Sequence, residues 1–494
     1  MTAGRPPALA LALALLSTIA GCVSPIVAPL RYEPVAPAPE EPFRAVPPDA
    51  SPVPPRVPLL LRMTTLPNGL RVVLVERHGL PIISVRIVVA RGSADTGAPG
   101  DTYAILERIL QGGGTAQRSA AELSAAYAHL GAPHRVACGY DGVFVATVVG
   151  AEDLDQAVGL LAETATGPRL AGRDVADARR SWLHDFTVGA NGAGSILSRN
   201  VDAALHGSLH PYGFARPQAP HTERVQPGDL AALHAQLFHP AQATLVVVGD
   251  ATPAAVDAAA ARWLGGWAPP SPSLERPPVP ASIPGPRLVL VERRGSSQVH
   301  AAVAARGPAA TGDDLAAVEV LARVFGGFSS RLRGEVRVES GAAYSFGAGL
   351  QRQRGSSTLT VSGALDAGKA VPALRTILDA IAEARTRGVR EADFERARTT
   401  LLAEWRTRVS TSDGLASLVG EAIAHGASLE AFATYPDRIQ AVTREDVGRA
   451  AQRYLGEEAL HVVVVGPGDL RRSLEGLGLG APVRHDLWAA PARP

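Results

Sequence analysis

The chain copies itself. RVVLVERHG (71–79) returns as RLVLVERRG (287–295), 216 positions later, and ARGSADTG (90–97) returns as ARGPAATG (305–312), 215 later. TLVVVGD (244–250) returns as HVVVVGP (461–467), 217 later. Landmarks this far apart that keep one spacing mark a tandem duplication. The 494 residues therefore divide into two similar units, each long enough to bury its own core. A proline-rich stretch, 268–286, separates a first domain at 59–267 from a second at 287–480, and a short tail, 481–494, follows.

Within each half the pattern reads as two or three strands, then helices, a further strand, more helices and a last strand. RVVLVER and ISVRIVVA are β-branched runs of the kind found in buried or half-buried strands. SAAELSAAYAHLG predicts a helix with a capping box at Ser119 and Glu122, an apolar stripe at Leu123, Ala126, Tyr127 and Leu130, and a stop at Gly131. RDVADARRSWLHDF continues the helical spacing through Val175, Ala178, Trp182 and Phe186. The class is α+β, two tandem homologous domains, each a mostly antiparallel sheet packed with helices.

Charge is balanced: 48 basic residues, of which Lys369 is the only lysine, face 47 acids, so no basic face for nucleic acid stands out. The N-terminus, with Arg5 before the apolar run ALALALALLSTIA, reads as a signal peptide over 1–21 rather than a membrane span. It ends at Cys22 in a sequence that resembles a bacterial lipobox, the alternative being a plain signal with an incidental cysteine. Residues 22–58 are proline-dense and predict an extended tether. With Cys22 acylated, Cys138 has no disulfide partner and reads as a small buried hydrophobe.

AILERILQGGGT (104–115) opens the first helical region. Together with LPNGLRVVLVER, HPYG (210–213), FHPAQATLVVVGD and GGFSSRLRGEVRVESGAAYS, it makes the body, about residues 60–479, resemble the pitrilysin/insulinase metallopeptidases, in particular processing-peptidase-like small subunits. That resemblance implies a two-domain clam-shell half. In active members the opening helix carries H-x-x-E-H, whose histidines at i and i+4 share a zinc ion while the glutamate serves as general base. Here the histidine positions fall on Ala104 and Arg108, and only Glu107 remains, as a vestigial base. The third ligand position, a glutamate in the family, falls on Asp185. Alanine offers no lone pair and a guanidinium repels a cation. Other registers do not restore the motif, because no histidine occurs between His78 and His129. Arg108 placed between Glu107 and Asp185 could supply the metal's charge through an ion pair.

Among other histidines, His206 and His210 have i, i+4 spacing, but Pro211 is expected to end that helix. His184 reads as a surface residue. Residues 112–114 read as a helix stop, not a phosphate cradle. In the second half, Arg337 and Tyr344 match the pair with which the family holds substrate backbone opposite the zinc, and Gly326, Gly327, Phe328, Ser329 and Ser330 resemble its glycine-containing substrate loop. The alternatives are a surface ion pair of Arg337 with Glu339 beside a packed tyrosine, and a plain helix-end turn. The resemblance implies a non-catalytic subunit that binds peptide for a zinc-bearing homologous partner and holds no metal itself. A structural or peptide-binding scaffold and a residual metallopeptidase with an unconventional metal site remain as other readings. The lipid anchor implies an outer-membrane lipoprotein of a bacterial envelope facing the periplasm.

Overall fold

A computed structural model describes residues 60–213, 222–268, 276–327 and 330–490. The signal peptide, Cys22, the tether, Phe328 and Ser329 lie outside these residues. Two six-stranded mixed sheets are built from strands β1 to β12, in the orders β1-β2-β6-β3-β5-β4 and β12-β7-β11-β8-β10-β9. Five strands correspond one for one. In the first sheet these are β2 (Arg71–Glu76), β6 (Ala243–Gly249), β3 (Ile82–Val89), β5 (Val143–Gly150) and β4 (Arg135–Cys138). Their counterparts are β7 (Leu288–Glu292), β11 (His461–Gly466), β8 (Gln298–Arg306), β10 (Thr358–Asp366) and β9 (Ala343–Gln351). In both sheets the first pair of this series is parallel and the others antiparallel. The sixth strands come from opposite ends of the chain, β1 (Leu61–Thr65) antiparallel to β2 and β12 (Val483–His485) parallel to β7. One difference from the sequence reading is the middle of each half, which holds a strand pair, β4 with β5 and β9 with β10, where a single strand was expected. The RVAC segment that forms β4 is too short to announce itself by alternation.

The helices of the first half are α1 (Gly100–Gly112), α2 (Ala120–His129), α3 (Leu154–Thr166), α4 (Gly172–Ala190), α5 (Ala193–His206), α6 (Pro227–Leu237) and α7 (Pro253–Leu264). Those of the second half are α8 (Leu315–Gly326), α9 (Ala370–Arg387), α10 (Glu391–Ser410), α11 (Ser412–His425), α12 (Tyr435–Ala441) and α13 (Arg444–Tyr454), with single-turn helices between them. Ser119 caps α2 by accepting from the Glu122 amide while Glu122 reaches back, the capping box expected from the sequence. Gly131, at φ +75°, turns the chain beyond it. Helix α5 ends at His206 rather than at Pro211, because Gly207 adopts φ +86°, a conformation other residues enter at a cost.

The two halves are interlocked by an exchange of helices. Strand β2 sends Val72 and Leu74 into a core with the first half's own helices, while Val73 and Val75 enter a core shared with α11 of the second half. Reciprocally, β7 sends Leu288 and Leu290 toward its own helices, and Val289 and Val291 pack on Ile196, Val201 and Leu205 of α5. The inner strands of each sheet are thus apolar on both faces, which is why they read as continuous hydrophobic runs.

A buried ion cluster pins the exchange. Asp95, whose side chain is 0% exposed, takes Arg276 Nε at 3.1 Å and Arg354 Nη2 at 2.6 Å. Asp141 accepts the Tyr212 hydroxyl at 2.9 Å and the Arg354 amide at 2.7 Å, and Arg276 also donates to the Asp141 carbonyl at 2.6 Å. The described part of the stretch read as a linker is therefore docked. Two acids face two guanidiniums, and the buried Arg91 lies near enough to feel the charges of Asp95, Arg276 and Arg354. Removing Asp95 strands the arginines in a dry site, a loss on the order of 3–5 kcal/mol. Chemical unfolding should show that loss for Asp95→Ala, whereas Arg62→Ala, which breaks the exposed Arg62–Asp257 pair, should change stability far less because solvent screens that pair.

Candidate functional site

Helix α1 turns Ile105, Leu106, Ile109 and Leu110 into the core, which leaves Ala104, Glu107 and Arg108 together on its half-exposed face. Gln111, one turn further, donates to the His134 carbonyl at 3.1 Å and accepts from the Val136 amide at 2.7 Å, tying the helix to the edge strand β4. Glu107 uses the same strand, accepting from the Cys138 amide at 3.2 Å. Cys138 itself is half-buried rather than fully enclosed.

Arg108 meets Asp185 of α4, with Nη2 at 2.8 Å from Oδ2, and its guanidinium lies 4.8 Å from the ring centre of Trp182. Trp182 packs on Phe186 at 5.1 Å, Phe186 stacks on Trp488 at 4.7 Å, and Arg199 covers Trp488 at 4.7 Å. A ladder of rings thus runs from the opening helix to the C-terminal segment, which Arg199 also holds through the Leu487 carbonyl at 2.9 Å. His184, beside Asp185, is exposed.

The fit of a zinc ion can be tested on these donors. Ala104 presents a methyl group, Arg108 places a permanent cation at the second position, and Asp185 is committed to that cation. Among the described residues, no three His, Cys, Asp or Glu side chains converge in a way that could hold a metal. The residues present do not fit the ion.

The second half holds a matching ion pair. Helices α1 and α8 begin 215 residues apart, at Gly100 and Leu315; α4 and α10 begin 219 apart, at Gly172 and Glu391. On those spacings Arg108 corresponds to Arg323 and Asp185 to Glu404. Arg323 Nη2 lies 2.6 Å from Glu404 Oε2, with Nε at 3.1 Å. Both halves therefore join the opening helix to the long helix by an arginine–carboxylate pair at equivalent positions. The repeat itself carried this signal, had it been followed past its three landmarks.

His206 and His210 come together but are spent on structure. His206 Nδ1 meets Ser282 Oγ at 2.9 Å and its Nε2 faces Thr358 Oγ1 at 3.4 Å. His210 donates from Nε2 to the Pro280 carbonyl at 2.9 Å and accepts the Tyr212 amide on Nδ1. Burial, aided by the neighbouring His210, pushes His206 down to about 4, so it stays neutral.

Arg337 and Tyr344 contrast with all of these. Arg337 sits on a wide helical turn, Gly334–Glu339, which packs beside β9. Tyr344 lies on β9, where the register jumps from Ala364↔Ser345 to Leu365↔Ala343, so it is the extra residue of a β-bulge. Bulges re-aim a side chain, and Tyr344 is 78% exposed, with Val338 at 77% beside Arg337 in sequence. Among the described residues, Arg337 forms no ion pair with Glu339. The glycine stretch is partly accounted for by packing: a Cβ on Gly326 would stand 1.9 Å from the Ala348 amide, Gly327 caps α8, and the Ser330 hydroxyl caps the next turn.

Burial holds the Glu107 carboxyl above its ordinary value, against the Cys138 amide and Arg108, which pull it down. A folded carboxyl that keeps its proton more tightly than the unfolded one favours folding at low pH. Stability is then lost as pH rises from about the ordinary value of 4.5 through the folded value. Glu107→Gln cannot ionise, so urea melts should find it more stable than wild type at about pH 7.5, with the difference shrinking toward zero near pH 4.

Comparison with known proteins bears on this geometry. Residues 224–401 match the family model described as peptidase M16 inactive domain. An uncharacterized zinc protease of Mycobacterium tuberculosis is 28% identical over 437 residues, covering 86% of this chain and 98% of the relative. A counterpart in Mycobacterium leprae is 26% identical, covering 83% and 93%. The fold is shared with a peptidase M16 inactive domain from Pseudomonas fluorescens (TM-score 0.76, 21% identity, 83% of this chain and 98% of that one). It is shared also with a protease from Helicobacter pylori (TM-score 0.76, 18% identity, 83% and 100%). The duplicated α+β body is thus similar, along most of its length, to insulinase-family (M16) peptidase homologues and shares their fold.

Proposed function

We propose that this chain is a non-catalytic M16 subunit that binds peptide and presents it to a zinc-bearing homologous partner. The carrying observation is a contrast between the halves. In the first, the place where the family's metal would sit is closed by Arg108 and Asp185. In the second, Arg337 and Tyr344 are exposed beside the edge strand β9. Surfaces of this composition suit recognition, since tyrosine and arginine supply much of the energy of interfaces. An arginine and a phenol also suit a peptide carbonyl, where negative charge develops during hydrolysis.

An edge strand offers a second support. Among the described residues β9 pairs on one side only, which leaves backbone groups for an extended peptide to pair with, whereas the Val136 and Cys138 amides of the other edge strand, β4, are taken by Gln111 and Glu107. The sequence Ala343–Gln351 has no proline and no charged residue to discourage such pairing.

The chain would carry no zinc of its own, the ion being supplied by the partner. The reading places it as a lipoprotein anchored through Cys22 at the periplasmic side of a bacterial outer membrane. No described helix is long and apolar enough to cross a membrane.

Mixing the purified chain with a homologue that retains H-x-x-E-H tests the reading. Arg337→Ala and Tyr344→Ala should each leave stability within about 0.5 kcal/mol, since both side chains are exposed. Both should still form the complex but cut its peptide turnover by tenfold or more, on the order of losing one transition-state contact. Unchanged turnover would favour a scaffold role and sink the proposal.

A further inference from the structure

The open face of the second sheet carries a groove of about 440 Å³ between the free end of the sheet and helix α5. Its floor comes from alternate residues of neighbouring strands: Ser345 and Gly347 on β9, Thr360 and Ser362 on β10. Ser198 and Asp202 of α5 form the wall. The register places Ser362 opposite Gly347 and Thr360 opposite Gly349, so hydroxyls and bare backbone alternate across the floor.

Two features point to a ligand: a pair of strand glycines, of which Gly347 lines the groove, and a carboxylate, Asp202. Gly347 and Gly349 sit in the interior of a strand, and a Cβ added to either would meet nothing within 4 Å. Neither has a positive φ. Their neighbours differ: a Cβ on Gly363 would stand 2.5 Å from the Ser345 carbonyl, and Gly326 is held by Ala348. Glycine weakens a strand that has no need of it, and inside strands it often marks a place where a ligand or another backbone comes close.

The second feature is charge. In a chain rich in arginine, Asp202 is, among the described residues, the only formally charged side chain lining the groove. His300, also in the lining, is kept neutral by burial and by nearby Arg293, both of which lower it. Burial pushes Asp202 up to about 7, against the Tyr140 hydroxyl, which pulls it down, so the carboxyl would gain from a countercharge.

We infer that this groove binds an extended peptide segment that crosses Gly347 and sets an ammonium or guanidinium group against Asp202. The inference rests on the peptide-binding reading above and adds a location and a preference for a cationic residue. Hydroxyls of Ser198, Thr360 and Ser362 supply the remaining acceptors around the cation.

Fluorescence anisotropy on the full chain tests it, with capped nonapeptides that differ only at the central residue: lysine, arginine, norleucine or glutamate. The lysine and arginine peptides should bind about tenfold or more tighter than norleucine, as a charge-assisted contact would give. Asp202→Asn should erase that preference while leaving norleucine binding unchanged. Gly347→Val should weaken every peptide without lowering Tm; a groove with no ligand predicts unchanged binding and a raised Tm, because valine is the better strand former. Equal binding of lysine and norleucine to wild type, or a preference that survives Asp202→Asn, would overturn the inference while leaving peptide binding itself intact. No binding of any peptide would overturn both readings. Free butylamine captured in an Asp202-dependent way without peptide binding would assign the groove to small amines and likewise overturn it.

Discussion

Everything in this fold depends on sheets whose inner strands are apolar on both faces. A half taken alone could cover one face with its own helices, and Val73, Val75, Val289 and Val291 would remain bare. Exchange of α5 and α11 closes both faces at once. Desolvating those faces is the dominant driving force, and it makes each half part of the other's core. The cluster of Asp95, Asp141, Arg276 and Arg354 then sits where the halves meet, and its acids fix the register of the exchange through several hydrogen bonds each. A buried cluster of this kind contributes orientation more than net stability.

On that frame the two opening helices and the two long helices occupy equivalent places. In both halves an arginine on the first meets a carboxylate on the second. A zinc ion and a guanidinium can each draw a carboxylate of the long helix to the opening helix, but only the ion leaves a position for water. An arginine at this place keeps the carboxylate of the long helix drawn to the opening helix. Trp182, Phe186 and Trp488 extend the contact to the C-terminal segment, so this face of the molecule is held by stacking as well as by charge.

The duplication, the strands that carry it, the α2 capping box and the α4 helix were legible because each rests on local spacing. What escaped was set by tertiary contacts. The short strand β4 is defined by pairing with β5, and α5 ends at Gly207 because of a backbone angle, not a proline. Residues 268–286 read as a proline-rich break between the halves, and nothing local in them shows that Arg276 is bound into the centre of the molecule. Arg337 and Tyr344 could be located by their motif, but the bulge that turns Tyr344 outward is visible only in the register. The aromatic ladder joins residues some 300 positions apart, beyond any local pattern.

The central claim is that this chain keeps the fold and lacks the metal chemistry. Elemental analysis by inductively coupled plasma mass spectrometry, on the full chain alone and in complex with a partner that retains H-x-x-E-H, tests it most directly. The account predicts no zinc above background in the isolated chain and one zinc per complex, carried by the partner. One zinc per isolated chain, lost on substitution of Glu107 or Asp185, would contradict it.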